Sequence, residues 1–184
     1  MARCRAILAE EEIDYALYVD EFDALVSGYV AVGRGHDERA ADDLADGSQR
    51  LTDERLSIWV GQLLLFECVK ALVRLGRREE AIPHRDRLAG LAAENVPPRA
   101  FLAWADGLLE PDARGARDHL AEAVARFEAL GRPIELGRCL TDLAEAERRL
   151  GEDHHPSLDR ARKELESCGA LLFLHDLETV EAVG

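Results

Sequence analysis

Apolar residues recur along this chain every three or four positions, and short clusters of Gly, Pro and Asp interrupt the pattern. This spacing places apolar side chains along one face of successive α-helices. Runs of β-branched residues, which favour strands, are nearly absent. Aromatic residues make up only 5% of the chain, so the core has to consist of Leu, Ala and Val packed between helices. The sequence therefore predicts an all-α fold of about nine helices.

Turn signals divide this series of helices. Glycine ends a helix readily because it adopts a left-handed backbone conformation without strain, whereas proline is tolerated in a first helical turn. The helix ends are predicted at Gly33-Arg34-Gly35, Gly76 and Gly131, the starts at Pro97-Pro98, Pro133 and Pro156, and Thr52 is the predicted N-cap of the third helix.

The resulting organisation is one helical-repeat domain spanning residues 1–184, with no linker long enough to separate two domains. The predicted hairpins span residues 13–50, 53–94, 97–130 and 133–168, and a terminal helix spans residues 171–182.

Internal repetition favours a stacked array over a closed bundle. Gly35 is followed five residues later by Ala40, and Gly76 by Ala81. A second match aligns residues 119–136 with residues 157–174, at an offset of 38 residues. Small residues at equivalent positions let the two helices of a hairpin approach closely. The repetition therefore predicts antiparallel hairpins stacked as a right-handed solenoid.

One stretch resembles a known family of repeats. Residues 116–151 read ARDHLAEAVARFEALGRPIELGRCLTDLAEAERRLG. They resemble the tetratricopeptide-like repeats in the C-terminal repeat domains of bacterial ATPase transcriptional regulators of the LuxR and maltose-activator type. The resemblance covers residues 63–180 and implies a sensor or scaffold function in transcription regulation. The chain contains no G-x-x-x-x-G-K-[ST] phosphate loop, so the ATPase part of such regulators is missing.

Charge and hydropathy narrow the classes of partner. The formal net charge is −14, and so acidic a surface repels nucleic-acid backbones. The longest apolar stretch, Ile58 to Val69, is interrupted by Gln62 and Glu67 and cannot span a bilayer. We therefore expect a cytoplasmic protein that binds neither nucleic acid nor membranes.

The candidate catalytic and metal-binding residues form no recognised motif. His154 and His155 follow Glu152 at a predicted helix start, but a di-iron bundle needs a second Glu-x-x-His motif. The four cysteines are far apart, and no serine lies in a G-x-S-x-G setting. We expect no catalytic residue, metal or cofactor.

A binding groove is the leading functional prediction, because the first helix of each hairpin lines the concave side of a tetratricopeptide array. The alternative is that its apolar members belong to the core. The predicted groove residues are Phe22, Tyr29, Leu63, Phe66, Lys70, Arg74, Arg138, Arg148 and Arg149.

The sequence thus favours a non-catalytic scaffold that binds a protein or peptide. A repeat domain that senses a small molecule is the first alternative, and a helical enzyme or metal protein the second. The segment Leu171 to Leu174 is apolar around a whole helical turn, which predicts burial on more than one side. We expect either a homodimer through the C-terminal helix or packing against missing parts of a longer chain.

Overall fold

The structure, a computed structural model, describes residues 16–32, 34–50, 59–94 and 96–182. Within these ranges the chain forms nine α-helices and one 3₁₀ turn, with no strand, so the predicted all-α fold is confirmed. None of the described helices combines the length and apolar character needed to cross a membrane. The helices are α1 (Ala16–Val32), α2 (Asp37–Gln49), α3 (Trp59–Arg74), α4 (Arg78–Glu94), α5 (Val96–Leu109), α6 (Ala113–Ala129), α7 (Pro133–Leu150), α8 (His155–Ser167) and α9 (Leu174–Ala182), and the 3₁₀ turn is Leu171–Phe173.

The predicted hairpin bounds that fall on described residues, at 50, 94, 97, 130, 133 and 168, lie within one residue of helix ends or starts. The predicted starts at residues 13 and 53 lie outside the described residues. The predicted terminal helix differs, because its first three residues form the 3₁₀ turn and the α-helix begins at Leu174. The predicted N-cap Thr52 and the predicted breaker Gly33 lie outside the described residues.

Five helices end on a glycine with a left-handed backbone. At the end of α6, for example, Gly131 has φ +63°, and its N–H donates to the Glu128 carbonyl oxygen. The next N–H, that of Arg132, donates to the Phe127 carbonyl oxygen, which completes a Schellman motif. The same pair of hydrogen bonds occurs at Gly35, Gly76, Gly151 and Gly169. A residue with a Cβ is strained in this conformation, which explains glycine at these positions.

The described residues fall into two compact units, which divide between Leu91 and Ala92. In the first unit α1 packs against α2 and α3, and α2 packs against α3. Arg77, the residue immediately before α4, donates to the Asp42 carboxylate of α2 (3.0 Å), so the start of α4 is tied to α2. The core of this unit includes Leu25, Leu44, Leu64, Leu72 and Leu88.

In the second unit each helix from α5 to α8 packs against the next, and α9 lies on α7 and α8. Its core contains an aromatic group. The Phe127 ring of α6 meets the Phe101 and Trp104 rings of α5 edge to face, with centroids 5.1 and 5.6 Å apart. The single array of residues 1–184 stays a prediction of the sequence.

The small residues that the repetition singles out lie in the cores between the helices. Ala40, Ala81 and Ala116 are all buried. A close contact that the repeat pattern did not reveal pairs a glycine with a leucine of the next helix. A Cβ on Gly107 would lie 2.7 Å from Leu120 Cγ, so only glycine allows this separation. The other two pairs are Gly28 with Leu44 and Gly137 with Leu165.

Candidate interaction surface

Helix α1 carries a stripe of exposed apolar side chains. Phe22, Val26 and Val30 follow one another at four-residue intervals and are 44%, 56% and 45% exposed. That spacing places them along one face of the helix, over more than two turns. Ala24, on the opposite side of the helix, is buried in the first unit, as is Leu25. We call Phe22, Val26 and Val30 the α1 stripe.

One end of the α1 stripe is basic. A cleft of about 160 Å³ lies between Val26 and Val30 of α1 and the residues that follow the helix. Its rim carries Arg34, His36 and Arg39, all exposed. Arg39 forms only a loose ion pair with Asp43, at 3.5 Å. An apolar strip thus ends beside two arginine guanidinium groups, those of Arg34 and Arg39, on a chain whose net charge is −14.

The predicted groove residues of the first unit lie on two neighbouring helices. The Tyr29 hydroxyl of α1 donates a hydrogen bond to Glu67 Oε1 of α3 (2.9 Å), which sets α1 beside α3. Phe22 belongs to the α1 stripe. The four predicted members on α3 divide by exposure: Leu63, Phe66 and Lys70 are buried, whereas Arg74 is exposed.

The three predicted arginines of the second unit make three separate contacts. Arg138 is 6% exposed, and its guanidinium lies over the Trp104 and Phe173 rings. Arg148 donates to Glu145 at 2.8 Å, and that hydrogen bond raises its pKa above the ordinary value. Arg149 donates to the backbone oxygen of Pro111. That these arginines line one groove stays a prediction.

The structure brings together a polar cluster in the first unit that sequence reasoning missed. The Ser48 hydroxyl oxygen lies 2.9 Å from the Ala45 carbonyl oxygen, to which it can donate, and 2.8 Å from His84 Nδ1, with which it forms a hydrogen bond. Arg87 donates to the Ser48 carbonyl oxygen at 2.6 Å. Ser48 and His84 are 36 residues apart in sequence, and no local sequence motif indicates that their side chains meet.

The same cluster borders Cys68, whose thiol is kept protonated. Burial raises the pKa of Cys68 to about 12, and Ser48 only partly offsets the effect. A thiol in that state is a poor nucleophile, since the thiolate is the reactive form. Burial also lowers the pKa of His84, and the nearby Arg87 charge adds to the effect. These are properties of a packed cluster that ties α2 to α4.

The adjacent histidines form a stacked pair at the start of α8. The rings of His154 and His155 lie 4.7 Å apart, and the backbone N–H of His155 donates to the Asp153 carboxylate. Across the part of the chain that the structure describes, no three His, Cys, Asp or Glu side chains are placed to hold a metal ion.

Comparison of the chain with protein-family models, with curated proteins and with solved structures found no match.

Proposed function

We propose that this chain is a non-catalytic helical-repeat scaffold that binds a helix of a partner protein. The observation that carries the proposal is the α1 stripe, which exposes three large apolar side chains on one helical face. An apolar strip with a polar rim is the usual form of a surface that receives an amphipathic helix. Residues 116–151 resemble the repeats of bacterial transcriptional regulators. On that resemblance we propose that the scaffold is the regulatory part of such a regulator in the cytoplasm.

A solenoid of antiparallel hairpins belongs to the same proposal. Its support is the recurrence of one contact, a glycine against a leucine, in α1–α2, α5–α6 and α7–α8. Recurrence of one packing contact between consecutive helices is what a repeat array requires. A second support for the solenoid is that the Schellman motif recurs at five helix C-termini.

The occupant that fits the α1 stripe best is an acidic amphipathic helix. Its apolar face would cover Phe22, Val26 and Val30. Its carboxylates would meet Arg34 and Arg39 at the rim of the cleft, where opposite charges favour encounter and fix direction. The cleft of about 160 Å³ is smaller than the roughly 300–1,000 Å³ sites that hold drug-sized molecules, which favours a helix over a small ligand.

Two designed peptides test the proposal. Both are amphipathic helices with leucines at i, i+4 and i+7, and they differ only in carrying glutamate or lysine at the flanking positions. We expect the glutamate peptide to bind at least tenfold more tightly in fluorescence anisotropy, and its affinity to fall as salt rises. The double substitution Val26→Glu and Val30→Glu should abolish binding, because it places charge on the apolar strip.

The matched control introduces the same two charges elsewhere, through Ile82→Glu and Val96→Glu. Both positions are exposed, at 48% and 59%, and neither belongs to the α1 stripe. This control should bind the glutamate peptide as the unmodified chain does. If neither peptide binds, or if the control loses binding as fully as the stripe variant, the proposal is wrong.

A further inference from the structure

The C-terminal segment, Leu171 to Ala182, packs on α7 and α8, and three of its side-chain contacts lie along one face. Phe173 lies on the Arg138 guanidinium, 4.3 Å from it, and Leu177 is fully buried. Glu181 accepts two hydrogen bonds from Arg162 of α8, both at 2.7 Å. The three follow one another at four-residue intervals and so lie on one face of the segment. We call Leu171 to Ala182 the C-terminal strap.

The surface beneath the C-terminal strap carries groups that bind an aromatic ring. The Arg138 guanidinium lies over the strap's Phe173 ring and also over the Trp104 ring, whose centroid is 5.4 Å away. Trp104 is held in turn by its Nε1–H, which donates to the Asp142 carboxylate at 2.7 Å. A guanidinium held near one aromatic ring can still attract a second ring, because the cation interacts with the faces of both. The fixed groups belong to α5 and α7, and Phe173 is the part that the strap supplies.

The strap buries fewer residues than the helices beneath it. Leu177 is the one buried residue of α9, whereas α7 buries nine residues along its length. Leu171 and Leu172 are 70% and 46% exposed, and the Arg162–Glu181 ion pair is partly in solvent. The strap is joined to α8 through Gly169, whose φ of +69° only glycine adopts readily. Elements with few buried contacts are those that open locally.

We propose that the C-terminal strap occupies a peptide-binding site of the second unit and that a partner helix enters the same site when the strap opens. The strap defines the chemistry of that partner: an aromatic residue at position i, an aliphatic residue at i+4 and a carboxylate at i+8. The aromatic ring stacks on Arg138, the aliphatic side chain fills the place of Leu177, and the carboxylate pairs with Arg162. The strap thus inhibits binding until it is displaced. The site shares no residue with the α1 stripe, so either proposal can fail without the other.

A labelled peptide that copies residues 169–184 tests the site with the full-length chain. A tethered strap competes at an effective concentration on the order of millimolar, so the unmodified chain should bind the free peptide only weakly. Phe173→Ala with Glu181→Gln weakens the tethered strap, and this variant should bind the peptide at least tenfold more tightly. A peptide with alanine in place of the aromatic residue should not bind the variant.

The matched control, His175→Ala with Glu178→Gln, alters the same segment by the same change of charge. Both side chains are exposed, at 84% and 64%, and face away from the site. This control should bind the peptide as weakly as the unmodified chain does. Equal affinity of the two variants for the peptide would overturn the proposal.

Amide hydrogen exchange of the unmodified chain tests the opening of the strap without any substitution. We expect the amides of Leu177 to Ala182 to exchange at least tenfold faster than those of Leu140 to Ala146 in α7. Equal protection in the two segments would show that the strap opens only with the whole unit, and it would overturn the proposal whatever the folding of the variants.

Discussion

At the scale of single residues, the cluster of Ser48, His84 and Arg87 makes stability depend on pH. Burial lowers the pKa of His84, so below about pH 6.5 the unfolded chain binds more protons than the folded chain. The contribution of His84 to the free energy of unfolding is therefore complete above pH 6.5. It is lost as the pH falls towards the lowered pKa of the folded state.

His84→Asn tests this dependence, because the asparagine amide can still form a hydrogen bond with Ser48 but does not titrate. We expect the loss of unfolding free energy between pH 7.5 and pH 5 to be smaller in the variant than in the unmodified chain, as measured by urea denaturation. The carboxylates are common to both proteins and cancel in the comparison. Identical losses in the two proteins would exclude His84 as a source of the pH dependence.

Two glycines inside helices should respond oppositely to alanine. At Gly137 a Cβ would lie 2.7 Å from Leu165 Cγ and 3.2 Å from the Ala161 carbonyl oxygen. Gly137→Ala should lower the free energy of unfolding by about 1–3 kcal/mol through overpacking. Gly90, in α4, has open space where a Cβ would be. Gly90→Ala should raise stability by about 0.5–1 kcal/mol, since alanine loses less backbone entropy in a helix.

Thermal or urea denaturation measures the change in the free energy of unfolding for both variants. A neutral result at Gly137 would mean that α7 and α8 do not approach as closely as the glycine–leucine contact requires.

At the scale of the elements, helix α6 depends on its first turn. The Asp112 carboxylate accepts a hydrogen bond from the Gly115 N–H at 2.9 Å, and no other acidic residue lies in that turn. Asp112→Ala should lower the free energy of unfolding by about 1 kcal/mol, because it leaves the N–H without its cap. Asp112→Asn keeps the acceptor and should cost only a few tenths. Equal losses for the two substitutions in urea denaturation would show that the cap contributes nothing.

Helix ends were predictable because their causes are local. Gly76, Gly131 and Pro133 act within one turn of chain, and the sequence around each is sufficient to place the boundary. The 3₁₀ turn before α9 was not predicted, since its residues are as apolar as those of a helix.

The candidate sites were less predictable than the helix ends, because each site depends on contacts between residues that are far apart in sequence. Arg138 was expected to line an open groove, but its surroundings depend on Trp104 and Phe173, each more than 30 residues away. The α1 stripe could be located only in part: Phe22 was predicted as a groove residue, whereas the exposure of Val26 and Val30 depends on which face of α1 meets α2. Periodicity alone does not choose between an exposed apolar face and a buried one.

At the scale of the whole molecule, the apolar C-terminal turn bears on self-association. Leu177 is buried and Phe173 is half-buried within the second unit, so part of the apolar surface of this segment is covered by the chain itself. Leu171 and Leu172 remain exposed at 70% and 46%. They form an adjacent pair on the outer side of the C-terminal strap, and a two-fold contact would cover the same pair in both copies.

We therefore expect the chain to form a two-fold dimer through Leu171 and Leu172, and Leu171→Glu with Leu172→Glu should yield a soluble monomer. Phe173 is left unchanged, because its ring packs on Arg138 and its loss would also weaken the C-terminal strap. Sedimentation equilibrium at high micromolar concentration measures the mass of both proteins, and the Ile82→Glu and Val96→Glu control should remain a dimer. A monomeric unmodified chain at that concentration would rule out the dimer. A dimer that persists in the Leu171→Glu and Leu172→Glu variant would place the contact on another surface.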